Sequence, residues 1–220
     1  MIRKLLRGLV PLVLALTPLT APAPVQAAQP MLLPDALTKV HSASESRDGY
    51  VRTKFKHWNA GEDRADGCNT RQEVLLSEAV EAPEVGAGCT ITGGRWHSYY
   101  DGQQVTSASA LDIDHLVPLA EAWDSGASAW RAGRREAYAN DQTVAVSLVA
   151  VTARSNRAKA DKDPAQWLPP AAEQHCRYVS EWVGTKLRWN LTADPAELEA
   201  LKVFADGPCE ETVVVVAPAP

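Results

Sequence analysis

Two short stretches carry the chemistry: Asp114-His115-Leu116-Val117-Pro118, and further along Asn156-Arg157-Ala158-Lys159. An Asp and an Asn offer hard oxygen donors of the kind Mg²⁺ accepts, with most coordination positions left to water and phosphate. A His beside them can take a proton from an attacking water near neutral pH. A divalent cation there would neutralise charge on a phosphate and on its leaving oxygen. Arg157 and Lys159 suit phosphate oxygens. The chemistry these residue types fit is metal-assisted hydrolysis of a phosphodiester.

The elements that must position these groups follow from local pattern. Residues 111–115 alternate, with Leu111, Ile113 and His115 on one face and Asp112 and Asp114 on the other, so a short strand carries acid and base side by side at its end. Pro118 stops the ladder because it has no N–H to donate. Ser155 is a candidate N-cap for a helix that presents Asn156 in its first turn. The β-prone run 144–152 delivers the chain to that helix. Asp112 is a further acid on the strand, with a solvent-facing role as the alternative.

In this order the motifs resemble the HNH, or ββα-metal (His-Me finger), endonucleases, whose strand ends in Asp-His-x-x-Pro and whose following helix begins Asn-Arg-x-Lys. The likeness extends to a secreted branch related to the nuclease domain of GmrSD-type restriction enzymes. It is carried by residues 68–75, 112–123, 138–141 and 156–170. The resemblance implies His115 as general base, Asp114 as a metal ligand, and Asn156 as the second ligand in place of the His that ends the family's name. It also implies Mg²⁺, or Mn²⁺ or another divalent cation, and products with 5′-phosphate and 3′-hydroxyl ends. The interval between His115 and Asn156 is long for a minimal finger and reads as a helical insertion.

The chain has 220 residues with 45% hydrophobic and 22% charged side chains, an ordinary globular composition. Residues 1–27 read as a secretory signal: Arg3, Lys4 and Arg7 precede a short apolar stretch, and Val25-Gln26-Ala27 is a small-x-small cleavage site. An uncleaved anchor is the alternative. Losing these three positive charges takes the net charge from −5 to −8, which argues against coating nucleic acid by bulk charge. Phosphate affinity must then be local, around Arg154, Arg157, Lys159 and Lys162. Arg71 is another candidate phosphate ligand, with a structural ion pair as its alternative.

Four cysteines in an oxidising compartment favour two disulfides. Of the three pairings possible, Cys68–Cys89 and Cys176–Cys209 each close a local loop, contributing roughly 3 kcal/mol apiece by loop entropy. No Cys-x-x-Cys is present, which disfavours a structural zinc.

Elsewhere, Asp101-Gly102 marks a hairpin after the aromatic run 95–100. Helices are expected over 119–130, interrupted at Gly126, then over 130–140 and 171–189. Asp163-Pro164 and Asp194-Pro195 are both helix-start signals. The expectation is an α+β fold: a ββα-metal core with helical insertions and flanking helices, stapled by disulfides. Its parts are a signal (1–27), a lead (28–48), an endonuclease domain (49–210) and a flexible tail (211–220). The expected activity is that of a secreted, monomeric endonuclease acting on nucleic acid, DNA being favoured, without membrane contact once the signal is removed. The rivals are a secreted interaction module that keeps the scaffold without catalysis, and another metal hydrolase such as a phosphatase, which would need more carboxylate and His ligands.

Overall fold

The computed structural model describes residues 28–220, so the expected signal segment lies outside the described residues. The strands are β1 (Gln29–Leu32), β2 (Glu84–Gly86), β3 (Thr90–Thr92), β4 (Trp96–Ser98), β5 (Gln103–Val105), β6 (Leu111–His115), β7 (Leu148–Thr152) and β8 (Val213–Val216). The helices are α1 (Leu33–Leu37), α2 (Thr70–Ser77), α3 (Leu119–Asp124), α4 (Ala132–Ala139), α5 (Ala153–Lys159), α6 (His175–Trp189) and α7 (Pro195–Ala205). The fold is α+β. Its strands form two-stranded antiparallel sheets, β1–β8, β2–β3, β4–β5 and β6–β7, surrounded by helices.

The β6–β7 ribbon organises the interior. In register, Asp112 faces Val151, Ile113 faces Ala150, and Asp114 faces Val149. Leu111, Ile113, Leu148 and Ala150 pack with Val74, Leu75 and Trp96 in one apolar cluster. Val149 and Val151 join a larger one with Phe55, Tyr100, Tyr178, Trp182 and Trp189. The alternation read in residues 111–115 is thus a ribbon with a core on each side.

Capping places several helices. Asn69 and Gln72 form a capping box at the start of α2, and Asp194 accepts from Glu197 N at 2.8 Å to start α7. Gly126, at φ 116°, ends α3 in a conformation that glycine adopts readily. Disulfides join Cys68 to Cys89 and Cys176 to Cys209.

Several expectations need correction. The lead and tail are not appendages: β1 pairs with β8 along residues 29–32 and 213–216, and Leu33, Ala36, Val40 and Val214 are buried in the larger core. Tail carbonyls of Ala217 and Pro218 also accept from the Arg188 guanidinium. Four consecutive β-branched valines favour a strand once a partner is in reach. Asp163-Pro164 starts no helix; Asp163 accepts from Ala165 N at 2.6 Å and closes a single turn. Helix α5 begins at Ala153, capped by Thr152 rather than Ser155. Ser155 instead donates to Asp101 Oδ2 at 2.8 Å.

A buried ionic network ties α3, α6 and α7 together. The Lys186 ammonium lies 2.7 Å from Glu121 Oε1 and 2.8 Å from Glu197 Oε2, and also donates to Ser125 Oγ and Thr192 O. Removing the cation alone would leave buried carboxylates unpaired, an outcome worth about 3–5 kcal/mol. Lys186→Met is expected to lose about that much in urea denaturation at pH 8. The loss shrinks at pH 5: without the ammonium the folded-state carboxyl pKa values rise, and a raised pKa costs stability only as pH climbs through it. An equal loss at both pH values would contradict this account.

Candidate functional site

The end of β6 and the outer face of α5 meet in a cavity of about 320 Å³. Arg52, Asp114, His115, Asn156, Arg157 and Asp161 all line it. The two motifs, about forty residues apart in the chain, therefore share one space.

His115 is held on three sides. Its Nε2 lies 3.0 Å from the carbonyl oxygen of Ala139, at the end of α4. A carbonyl only accepts, so Nε2 carries the proton and Nδ1 keeps its lone pair. The ring stacks on Tyr138, with centroids 6.4 Å apart and planes at 18°, and Trp58 covers it at 5.6 Å. Trp58 adopts φ 60°, a left-handed conformation unusual for a bulky side chain. Burial drives the imidazole pKa down to about 3; the Ala139 hydrogen bond opposes this, and the charges of Arg52, His57 and Lys159 add to it. The ring is neutral.

Asp114 is buried, and burial pushes its carboxyl up from the ordinary range while Lys159 and Tyr100 pull it back. Its Oδ2 accepts from Lys159 Nζ and from the Tyr100 hydroxyl, each at 2.6 Å. Its Oδ1 has no hydrogen-bond partner among the described residues. Asn156 donates Nδ2 to Asp112 Oδ2 at 3.1 Å. A carboxylate cannot donate, so the Asn156 amide oxygen is turned away from Asp112 and is free.

The cations divide. Arg157 is exposed on α5, with Nε 3.8 Å from Asp112 Oδ2. Lys159, expected on phosphate, is fully buried and also donates to the His115 carbonyl at 3.1 Å. It turns inwards to the Asp114 carboxylate at the end of β6. Arg71 donates to the carbonyl of Leu111 at 3.0 Å, holding the edge of β6 rather than standing in the cavity lining.

Sequence reasoning missed Tyr100, which grips Asp114, and Arg52, which enters from a single 3-10 turn at Arg52–Lys54. Tyr100 belongs to an aromatic run that was read only as a hairpin strand. Arg52 lies in no recognisable motif. A second acidic group, Glu45, Glu121 and Asp124, has ligand atoms within 4.8 Å of one another. Lys186 already pairs with Glu121, and Arg47 with Asp124 at 2.7 Å. Burial and the neighbouring Glu121 raise Glu45 to about 8, so it holds a proton at neutral pH.

No helix among the described residues is long and apolar enough to cross a membrane. No solved structure matches this chain. A relative from Arthroderma benhamiae, named only an uncharacterized secreted protein, is 39% identical over 194 residues, covering 85% of this chain and 92% of its own length. Residues 75–202, which include both motifs of the cavity, match the GmrSD restriction endonucleases' C-terminal domain, and the chain therefore belongs to that nuclease-related family.

Proposed function

We propose that the protein is a secreted, metal-dependent endonuclease of the HNH type, that β6, β7 and α5 form its ββα-metal core, and that DNA is its substrate. The observation that carries the reading is the state of His115. Its Nε2–H is committed to the Ala139 carbonyl, so Nδ1 is left as a base beside Asp114 and Asn156 in one cavity. The order of the core elements agrees: an antiparallel pair followed directly by a helix. Two disulfides, the signal-like N-terminus and the name of the fungal relative support export.

The donors present fit a divalent cation. Asp114 Oδ1 and Asn156 Oδ1 are hard oxygens without protein partners among the described residues, on side chains that line the same cavity. Mg²⁺ or Mn²⁺, when bound, would offset charge on the phosphate and on the leaving oxygen. Lys159 and Tyr100 keep the Asp114 carboxylate in one orientation. Nδ1 of His115 takes the proton of the attacking water. In the free protein this nitrogen is a weak base, but a phosphodiester anion beside the ring favours the imidazolium and raises its basicity as substrate binds. Trp58 and Tyr138 keep the ring from turning as it changes charge.

Residues 28–220, with disulfides formed, are expected to cut plasmid DNA with Mg²⁺ or Mn²⁺ and to stop in EDTA. His115→Ala should lower the rate about 10²–10⁴-fold, the usual contribution of a positioned base, and Asn156→Ala should also lose metal-dependent cutting. Wild-type rates from His115→Ala would remove this base assignment. RNA in the same assay decides the substrate.

The buried base also has a metal-free signature. An unfolded His titrates near 6.5, whereas His115 in the fold is held down to about 3. A depressed folded pKa means the unfolded chain takes the proton first as pH falls, so stability declines from about pH 6.5 towards 3. His115→Asn should reduce that decline by about 2 kcal/mol between pH 6.5 and 5, read from urea midpoints in EDTA. Parallel pH profiles for variant and wild type would show that the ring is not held neutral.

A further inference from the structure

The cavity poses a question of charge. Its substrate, on the reading above, is an anion, yet most of the cations around it already have carboxylate partners. Lys159 is sealed against Asp114 at 2.6 Å. Arg47 lies between Asp124 and Asp161, at 2.7 and 3.0 Å. Arg157 approaches Asp112 at 3.8 Å.

Arg52 differs from all three. Among the described residues no carboxylate lies within ion-pair distance of it, its side chain is exposed, and it lines the same cavity as His115, Asp114 and Asn156. Its charge is felt by the His115 ring. Its backbone is anchored: three residues on, Phe55 is fully buried against Tyr50, Trp123 and Tyr138, with ring centroids 6.1–6.5 Å apart. Lys54, at the end of the same turn, donates to the carbonyl of Gly49 at 2.6 Å. A flexible guanidinium thus projects from a fixed turn. It also lies outside residues 75–202, the segment matched by the family.

We propose that Arg52 is a substrate-binding catalytic residue that grips a non-bridging oxygen of the scissile phosphodiester and stabilises the charge that builds up on it during attack. This inference rests on the nuclease reading. A guanidinium suits the task because its planar fork donates two parallel hydrogen bonds to phosphate and stays charged throughout. No ion pair with a carboxylate has to be broken before the phosphate arrives; the Tyr50 hydroxyl is the neighbour it would release.

Arg52→Ala and Arg52→Lys, beside His115→Ala, would be compared in two assays. In plasmid cleavage with Mn²⁺, Arg52→Ala should lower kcat/KM about 10²-fold, the scale of losing one donor to a developing oxyanion, with a fall in kcat as well as a rise in KM. Arg52→Lys should recover only part, since it lacks the fork. In EDTA, anisotropy of a fluorescein-labelled DNA duplex should show weaker binding by Arg52→Ala. Its plot of log affinity against log salt should be shallower by about one, the slope carried by one phosphate contact. Thermal melting should change little, because the side chain is exposed and has no carboxylate partner.

If Arg52→Ala cuts and binds like wild type while His115→Ala is inactive, the role of Arg52 is overturned and the nuclease reading stands. If the wild type cuts nothing with either metal, the nuclease reading fails and the catalytic role of Arg52 fails with it. The anisotropy slopes then report only whether a phosphate-binding site remains.

Discussion

The buried contact between the Lys159 ammonium and the Asp114 carboxylate is the constraint on which the site depends. Both groups are removed from water, where an isolated charge would cost several kcal/mol. Their 2.6 Å contact, the Tyr100 hydroxyl and the His115 carbonyl together satisfy much of what solvent would have supplied. The contact also fixes geometry: it fastens α5 to the end of β6, so Asn156, three residues earlier on the helix, must face the same space as Asp114. Without it, α5 would be held to β6 by side chains only through the more exposed contacts of Asn156 and Arg157 with Asp112.

A second layer of fixation comes from α4. In sequence, residues 138–141 were only part of a family likeness. In the fold each has a separate job. Tyr138 stacks on the His115 ring and Ala139 receives its proton-bearing nitrogen. Asn140 caps loose backbone at Lys56, Asn59 and Glu136. Asp141 accepts from Arg188, Ser147 and Trp189. The long interval between the motifs is therefore what orients the His115 ring, and a shorter connection would need another carbonyl in that place.

Much of this was legible from local pattern. The alternation of residues 111–115, the Asp194 cap, the hairpin at Asp101-Gly102 and the closure of each disulfide depend on neighbours within a few residues or one loop. What could not be read depends on distance. A lysine next to an arginine reads as solvated by default, and nothing local says that Lys159 turns inwards to a partner forty-five residues away. Thr152 competes with Ser155 for the helix start and takes it, accepting from Ser155 N, while Asp101, 51 residues before Thr152 in the chain, accepts from both hydroxyls. Four valines near the end of the chain read as a frayed tail because their partner lies at its other end. Arg52 belongs to no local motif, and only the fold brings it to the cavity that Asp114, His115 and Asn156 line.

The pairing of β1 with β8 bears on the order in which the chain can assemble. Residues 29–32 are made well before residues 213–216, so β1 waits for its partner while the segments between them are added. Loop closure over that separation is slow and is favoured only after the intervening segments have condensed. The β6–β7 ribbon, by contrast, needs only residues 111–152 to pair. Loop-closure entropy alone thus favours pairing of β6 with β7 before the joining of β1 to β8. A chain stalled before β1 and β8 join would leave the edge of β1 bare to any other strand it meets.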